Sequence, residues 1–448
     1  MRRLVVSVLA LASIAYSGFI FQDRDKIKPF SLMKRIEEAR QLVKPETVHL
    51  IHGVVGTRRV RVSRHRYTEV PITGVTGREM ALAVMDQNGA ISLVRATRND
   101  AGLHVETPGY ILYFRRENGI NSDIGCEQPA GGKVLAVKYP LSNEGNRFGV
   151  DADEIQAVYT PYSGEIKTEE VVKKGIQVES EFVNHAYGRL REREVFSRAF
   201  EGKQVVDVIP KTVVSVLLVN EHIDPSDFKN EELAGPLAER VLTVIGTNRE
   251  KAYAYAISSA GARGLVQMIP STYAMMLNAY PSAGLMSNFS AGMADPVNAI
   301  MAQILLCDSD WHSIRASNDI SAERIGPYLA AAYNGGVGRV LSCLSHSESD
   351  WMDSPVDGTQ PTKTVSRTVA VRVRGRRGRM VTRYVSKSYT EPIFRAETNK
   401  YIRQYHWINN FFADRSTKGF KEITDPSEET APTAKAPPAA SAKNDHTP

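Results

Sequence analysis

The chain has 448 residues, 42% of them hydrophobic, and its 56 Lys plus Arg against 50 Asp plus Glu give a net charge of +6. That length suits two or three domains, and that apolar content excludes a chain that is disordered throughout. Nine Lys or Arg fall between Lys363 and Lys387 with no acidic residue among them, so the excess charge is local and argues against nucleic-acid binding by the protein as a whole.

The chain begins Met1-Arg2-Arg3, runs apolar from Leu4 to Phe21, and turns charged at Asp23-Arg24-Asp25-Lys26. Two positive charges before eighteen largely apolar residues form the pattern of a secretory signal or an uncleaved membrane anchor. Residues 1–22 are therefore expected to direct export, with residues 4–21 as the anchor if it is kept. Arg2 and Arg3 would stay cytoplasmic. Residues 23–46 are charged and partly helical in pattern, and are expected to be a spacer.

From about Thr47 the texture changes. Val48 to Val55, Arg58 to Ile72 and Met80 to Thr97 are rich in β-branched residues. Asn88-Gly89 between two apolar runs is a strong hairpin signal. Gly109 to Phe114, Lys133 to Tyr139 and Ile155 to Tyr159 continue the pattern, so residues 47–163 are expected to form a β-rich accessory domain. Its residues carry no chemistry that we recognise.

Residues 164–418 read as helical. Glu165 to Phe200 is charged with an irregular apolar face. Pro210-Lys211-Thr212 opens a more apolar helix, with Pro well placed at a helix start. Leu237 to Ile245 is a further helix. At about 361–390 a basic β-hairpin interrupts the pattern: Val369, Val371 and Val373 alternate with Arg372 and Arg374, Gly375-Arg376-Arg377-Gly378 turns, and Met380 to Tyr389 returns. Residues 419–448, with five Pro among Ala, Thr and Ser, read as a disordered tail. The three cysteines are Cys126, Cys307 and Cys343. A Cys307–Cys343 disulfide is possible. No Cys/His spacing suits zinc, so no metal and no cofactor is expected.

The segment Ala256-Ile257-Ser258-Ser259-Ala260-Gly261-Ala262-Arg263-Gly264-Leu265-Val266-Gln267-Met268-Ile269-Pro270-Ser271-Thr272 resembles the S-x-x-G-A-x-G-L-M-Q-x-x-P-x-T signature of the SLT-type lytic transglycosylases of the lysozyme-like superfamily. Three further stretches resemble that family in the same order. They are Asp295-Pro296-Val297-Asn298-Ala299-Ile300, then Leu329 to Val340 with its Ala332-Tyr333-Asn334-Gly335 centre, then Glu397-Thr398-Asn399-Lys400-Tyr401-Ile402. The resemblance covers about residues 205–410. It implies a lysozyme-like all-α domain, which together with the β-rich region and the inserted hairpin makes an α+β chain: an N-terminal β-rich domain followed by an all-α lysozyme-like domain carrying an inserted β-hairpin. It further implies an enzyme of the cell envelope or periplasm that cuts peptidoglycan glycan strands and leaves 1,6-anhydromuramoyl ends, with one glutamate as acid and then base. Ser258, Gly264, Gln267, Tyr333 and Asn334 are implied as substrate-binding residues.

The family's glutamate stands a short distance before the signature, where this chain has Arg249. Two carboxylates compete for the role. Glu250 is nearer, but Thr247, Gly246 and Thr243 lie three, four and seven positions back, and Arg249 and Lys251 flank it. Neighbouring positive charge would lower its pKa. Glu221 has Leu218, Leu217 and Val214 at those positions, an apolar stripe of the kind that raises a carboxyl pKa. Glu221 is the expected acid and Glu250 the alternate. On that reading residues 223–255 are an insertion, and His222 stands where the family has Ser and could hydrogen-bond the acid. Two rival readings stay open: a peptidoglycan-binding protein that has lost its acid, and a lysozyme-type hydrolase with a second carboxylate such as Asp224. The basic hairpin is expected to contact anionic wall polymer or a membrane surface.

Overall fold

The computed structural model describes residues 31–142, 154–224, 226–316, 320–346, 352, 361–374 and 380–417. The chain is α+β, with an antiparallel sheet region followed by a helical region. The apolar N-terminal run and the 419–448 tail lie outside the described residues. Among the described residues, no helix is long and apolar enough to cross a membrane.

The first element is α1, Leu32–Val43. Leu32, Ile36, Ala39 and Val43 recur at helical spacing and all four are buried. The Ser31 hydroxyl caps it by accepting the Lys34 N–H at 3.3 Å. The spacer expected over residues 23–46 is thus corrected for this stretch: its charged face hid an apolar stripe that is part of the core.

The strands are β1 (Leu50–Ser63), β2 (Arg66–Met85), β3 (Ile91–Asn99), β4 (Gly102–Val105), β5 (Ile111–Arg116), β6 (Asp123–Gln128), β7 (Lys133–Ser142) and β8 (Glu154–Tyr159). The main sheet has the order β4-β3-β2-β7-β8, with β1 paired to β2 from Arg66 to Arg78, while β5 and β6 form a separate ribbon. The Asn88-Gly89 turn joins β2 to β3 as its sequence indicates, with Gly89 at φ 85°. Alternation divides the sheet's residues between two layers. Leu82 and Val84 pack with Leu112 and Ile124 on one face, and Ala83 and Met85 pack under α1 on the other. Beyond the sheet, β1 and the start of β2 project as an exposed ribbon carrying Arg58, Arg59, Arg61, Arg64 and Arg66.

The helices that follow are α2 (Glu169–Glu192), α3 (Val205–Val208), α4 (Lys211–Asn220), α5 (Ala234–Asn248), α6 (Pro270–Ala279), α7 (Phe289–Ala294), α8 (Pro296–Arg315), α9 (Ile325–Gly335), α10 (Val337–His346) and α11 (Ala396–Thr417). Between α10 and α11 lies the basic hairpin, β9 (Thr362–Arg374) paired in antiparallel register with β10 (Met380–Pro392). Pro210 precedes α4, and every residue of that helix from Val216 to Asn220 is buried, so it runs through the core of the helical region. Cys307 and Cys343 are buried, and the disulfide considered between them is not formed.

Within the expected insertion, α5 is firmly seated. It crosses α2 at two glycines: a Cβ on Gly175 would lie 2.0 Å from the Leu242 carbonyl oxygen, and one on Gly246 would lie 2.6 Å from that of Val171. The other side of α5 meets the sheet, where Val244 joins the sheet's apolar cluster. Buried Asn248 clamps the two regions: it accepts the Thr160 N–H and donates to the Thr160 carbonyl, both at 2.8 Å. Arg40 of α1 donates to the Thr247 carbonyl at 2.6 Å.

Buried in α2, Glu179 is 3% exposed and its Oε1 has no hydrogen-bond partner. Burial lifts its carboxyl from 4.5 to about 7, although the Ser215 side chain offsets part of the rise. A folded pKa above the unfolded one means that stability is intact below the unfolded value and is lost as pH rises through the folded one. Glu179→Gln should therefore raise Tm by a few degrees at about pH 8 and leave it unchanged at about pH 4, measured by thermal melts.

Candidate active site

Glu221 follows α4 directly, and its N–H still donates to the Leu217 carbonyl at 3.1 Å. Leu218, Leu217 and Val214 beneath it are fully buried. The carboxyl is partly covered, and the Tyr401 hydroxyl donates to its Oε1 at 2.6 Å. Burial pushes Glu221 from 4.5 up to about 7; the Tyr401 bond pulls the other way, and the charge of Glu397 adds to the rise. Each effect has the sign that elementary electrostatics gives it.

Glu250 has the opposite surroundings. It lies in a short 3-10 turn, Arg249–Lys251, with 61% of its side chain exposed and the Arg249 Nε at 3.7 Å. Arg249 is at φ 49° and is itself largely exposed, so the position where the family places its acid is here a solvent-facing turn. Glu250→Gln is expected to keep any glycan-cleaving activity within about twofold of the parent, since this side chain faces solvent and lacks the apolar seat that a proton donor needs.

The signature folds into a compact double turn, with bridges Ile257–Arg263 and Arg263–Met268. Several of its side chains serve the turn itself. Ser258 Oγ accepts the Ala262 N–H at 3.0 Å, and Gln267 Nε2 donates to the Gly264 carbonyl at 2.8 Å. Gly264, at φ 70°, is required by packing: a Cβ there would lie 2.2 Å from the Met293 carbonyl oxygen. The close approach that a glycine permits at this point is to Met293 of α7.

Tyr333 links this loop to the surroundings of Glu221. The Tyr333 hydroxyl, from α9, donates to the Val266 carbonyl, and it lies near enough for the Glu221 charge to add to the rise that burial gives its pKa. Asn334 accepts the Thr398 hydroxyl at 2.8 Å, which ties α9 to α11. The structure thus brings Glu221, Tyr333 and the Leu265–Val266 backbone together. Ser258 and Gln267 are bonded within their own loop.

His222 does not bond Glu221, the contact its position allowed. Its Nε2 pairs with the Leu265 carbonyl at 2.8 Å, and its ring stacks on Tyr253 at 3.5 Å between centroids and 12° between planes. Burial pushes His222 down to about 4, so it is neutral at ordinary pH. Tyr253 in turn donates its N–H to the Tyr159 hydroxyl of β8 at 3.4 Å. Asp224 is also committed elsewhere. It pairs with Arg116 of β5 at 2.9 Å, and hydrogen bonds from Ser226, with Arg116 beside it, hold it below the usual carboxylate range. The same guanidinium reaches Asp227 at 2.6 Å, and Asp227 meets Arg240 of α5 at 3.1 Å.

Tyr401 was not singled out from sequence, although it stands in the quoted Glu397-to-Ile402 stretch. Tyr253 and Tyr159 had no local signal. Among the described residues, no group of three or more His, Cys, Asp or Glu is placed to hold a metal ion. Compared with protein-family models, with curated proteins and with solved structures, the chain matches none.

Proposed function

We propose that this chain is an exported murein lytic transglycosylase of lysozyme-like fold that cleaves the β-1,4 bond between N-acetylmuramic acid and N-acetylglucosamine. The observation that carries the reading is the setting of Glu221. A carboxyl lifted to about 7 sits beside Tyr401 and Tyr333, and Tyr333 bonds the signature loop. Three separated stretches of the family resemblance therefore meet at one acid. A pKa close to neutral suits a group that must first give a proton and then take one.

In this reading Glu221 protonates the glycosidic oxygen as its bond to the muramoyl C1 breaks. The substrate's own N-acetyl group stabilises the positive charge at C1. The ionised Glu221 then takes the proton of the muramoyl 6-hydroxyl as that oxygen bonds to C1. No water is consumed, and the product is a 1,6-anhydromuramoyl end.

Two rivals differ in product. A lysozyme-type hydrolase needs a second carboxylate, and Glu397, whose charge acts on Glu221, suits that role better than the Arg116-bound Asp224. A glycan binder without chemistry would leave strands intact. Digestion of purified peptidoglycan with mass analysis of the strand ends separates them: anhydromuramoyl ends support the proposal, while reducing ends or no new ends overturn it.

The basic hairpin would hold anionic wall polymer or a membrane surface. Its Tyr384 is 75% exposed, and Arg372, Arg374, Arg383 and Lys387 are exposed with it. Replacing Arg372, Arg383 and Lys387 by Gln should weaken sedimentation with intact wall material several-fold and flatten its salt dependence. Unchanged binding would end that role.

A further inference from the structure

A cavity of about 270 Å³ lies between the loop after Glu221 and α11. Gln404 lines it, three residues after Tyr401. The cavity therefore lies about one helical turn, ~5 Å along the axis, from the tyrosine that holds Glu221.

Its lining combines three kinds of group. Lys229, Lys400 and Arg403 bring positive charge, and Lys229 and Lys400 have no carboxylate partner among the described residues. Phe228 and Trp407, also in the lining, stack at 5.1 Å and 18°, which gives the cavity an apolar side. Gln404 is 1% exposed, yet neither its Nε2 nor its Oε1 has a hydrogen-bond partner. A buried amide without partners is costly, and the cost disappears when a ligand supplies them.

The ligand chemistry follows from these groups. A primary amide offers one donor and one acceptor side by side, the complement of a peptide group. Cations beside it call for an anion, and stacked rings call for a small apolar side chain. We propose that this cavity binds the free carboxyl end of a peptide. The last peptide group pairs with Gln404, the terminal carboxylate meets Lys229 and Lys400, and the last side chain lies against Phe228 and Trp407. The site stands on its own lining, whether or not Glu221 cleaves glycan.

Calorimetric titration of the full-length protein tests this with four probes: N-acetyl-alanyl-alanine in its L,L and D,D forms, the C-terminal amide of whichever form binds, and inorganic phosphate. Saturable binding of one peptide per chain is expected, at least about tenfold weaker for the amide and weakening as salt is raised. Lys229→Gln with Lys400→Gln should abolish the preference for the acid over the amide. Gln404→Leu should lose binding while Tm stays the same or rises, because it removes an unsatisfied buried amide. No saturable binding of either peptide overturns the site, as does an amide that binds as well as the acid. Phosphate binding as tightly as the peptide would mean a plain anion site and would also overturn it. A Gln404→Leu variant that binds normally but melts earlier would make Gln404 a structural residue and end the proposal.

Discussion

Glu221→Gln should lower glycan cleavage by about 10²–10⁴-fold, the usual contribution of a positioned proton donor, with the fold intact. The amide keeps the shape of the carboxyl and can still accept from the Tyr401 hydroxyl that now donates to Oε1 at 2.6 Å. It can neither deliver a proton nor take one back. The pH profile of the parent should bear the same signature. With the carboxyl at about 7, kcat/KM should be flat below neutrality and fall about tenfold per pH unit above it, as the acid loses its proton. Tyr401→Phe removes a bond that favours the charged form, so the carboxyl should rise further and the falling limb should move to higher pH. Stability should show the mirror image. A folded pKa above the ordinary 4.5 makes ionised Glu221 a burden that grows as pH rises through 7, so Glu221→Gln should melt later than the parent at about pH 8. Full activity in Glu221→Gln would remove it as the acid.

Asn248→Ala should destabilise the protein by about 2–4 kcal/mol, because it orphans the buried N–H and C=O of Thr160 together. Urea unfolding of the parent and variant would measure the loss, and equal midpoints would show that the clamp carries no net free energy. The effect should reach the site as well. Asn248 is the last residue of α5, five before Tyr253, and Tyr253 stacks on His222, the neighbour of Glu221. A loosened α5 end should therefore lower kcat by severalfold with little change in KM, since Glu221 itself would be less well held.

How much of this was readable without coordinates depends on how local the cause was. The apolar setting of Glu221 was legible because its support lies one and two turns back on its own helix, and Leu218, Leu217 and Val214 are indeed buried. Glu250 is exposed as expected, but for a different reason: Thr247, Gly246 and Thr243, whose polar character pointed to a solvated face, are buried, and Glu250 faces solvent because it lies beyond the end of α5 in a 3-10 turn. The β2–β3 turn and the basic hairpin were legible from turn residues and alternation. The stripe in α1 was also present in the spacing of Leu32, Ile36, Ala39 and Val43, but the charged residues between them made the segment look solvated. The reason for Gly264 was not legible, because Met293, which crowds it, is nearly thirty residues away in α7. The Tyr159–Tyr253–His222 contact joins three segments whose juxtaposition depends on α5 being wedged between α2 and the sheet. No local pattern encodes that placement.

The exposed β1–β2 ribbon bears on how the protein behaves at high concentration. Among the described residues β1 pairs only with β2, so its outer edge offers unpaired backbone groups to any other molecule. Val54, Val55 and Val62 are more than half exposed on it. A long edge with exposed valines is a template for pairing between copies, which here is interrupted by irregularities in the β1–β2 register at Ile51/His52, Val54/Gly56 and Arg61/Ser63. Arg58, Arg59 and Arg61 lie along the same strand, facing solvent, and two copies that approach edge to edge must bring these charges together. The ribbon's arginines thus act as the protein's own guard against self-assembly, and that guard weakens as ionic strength rises.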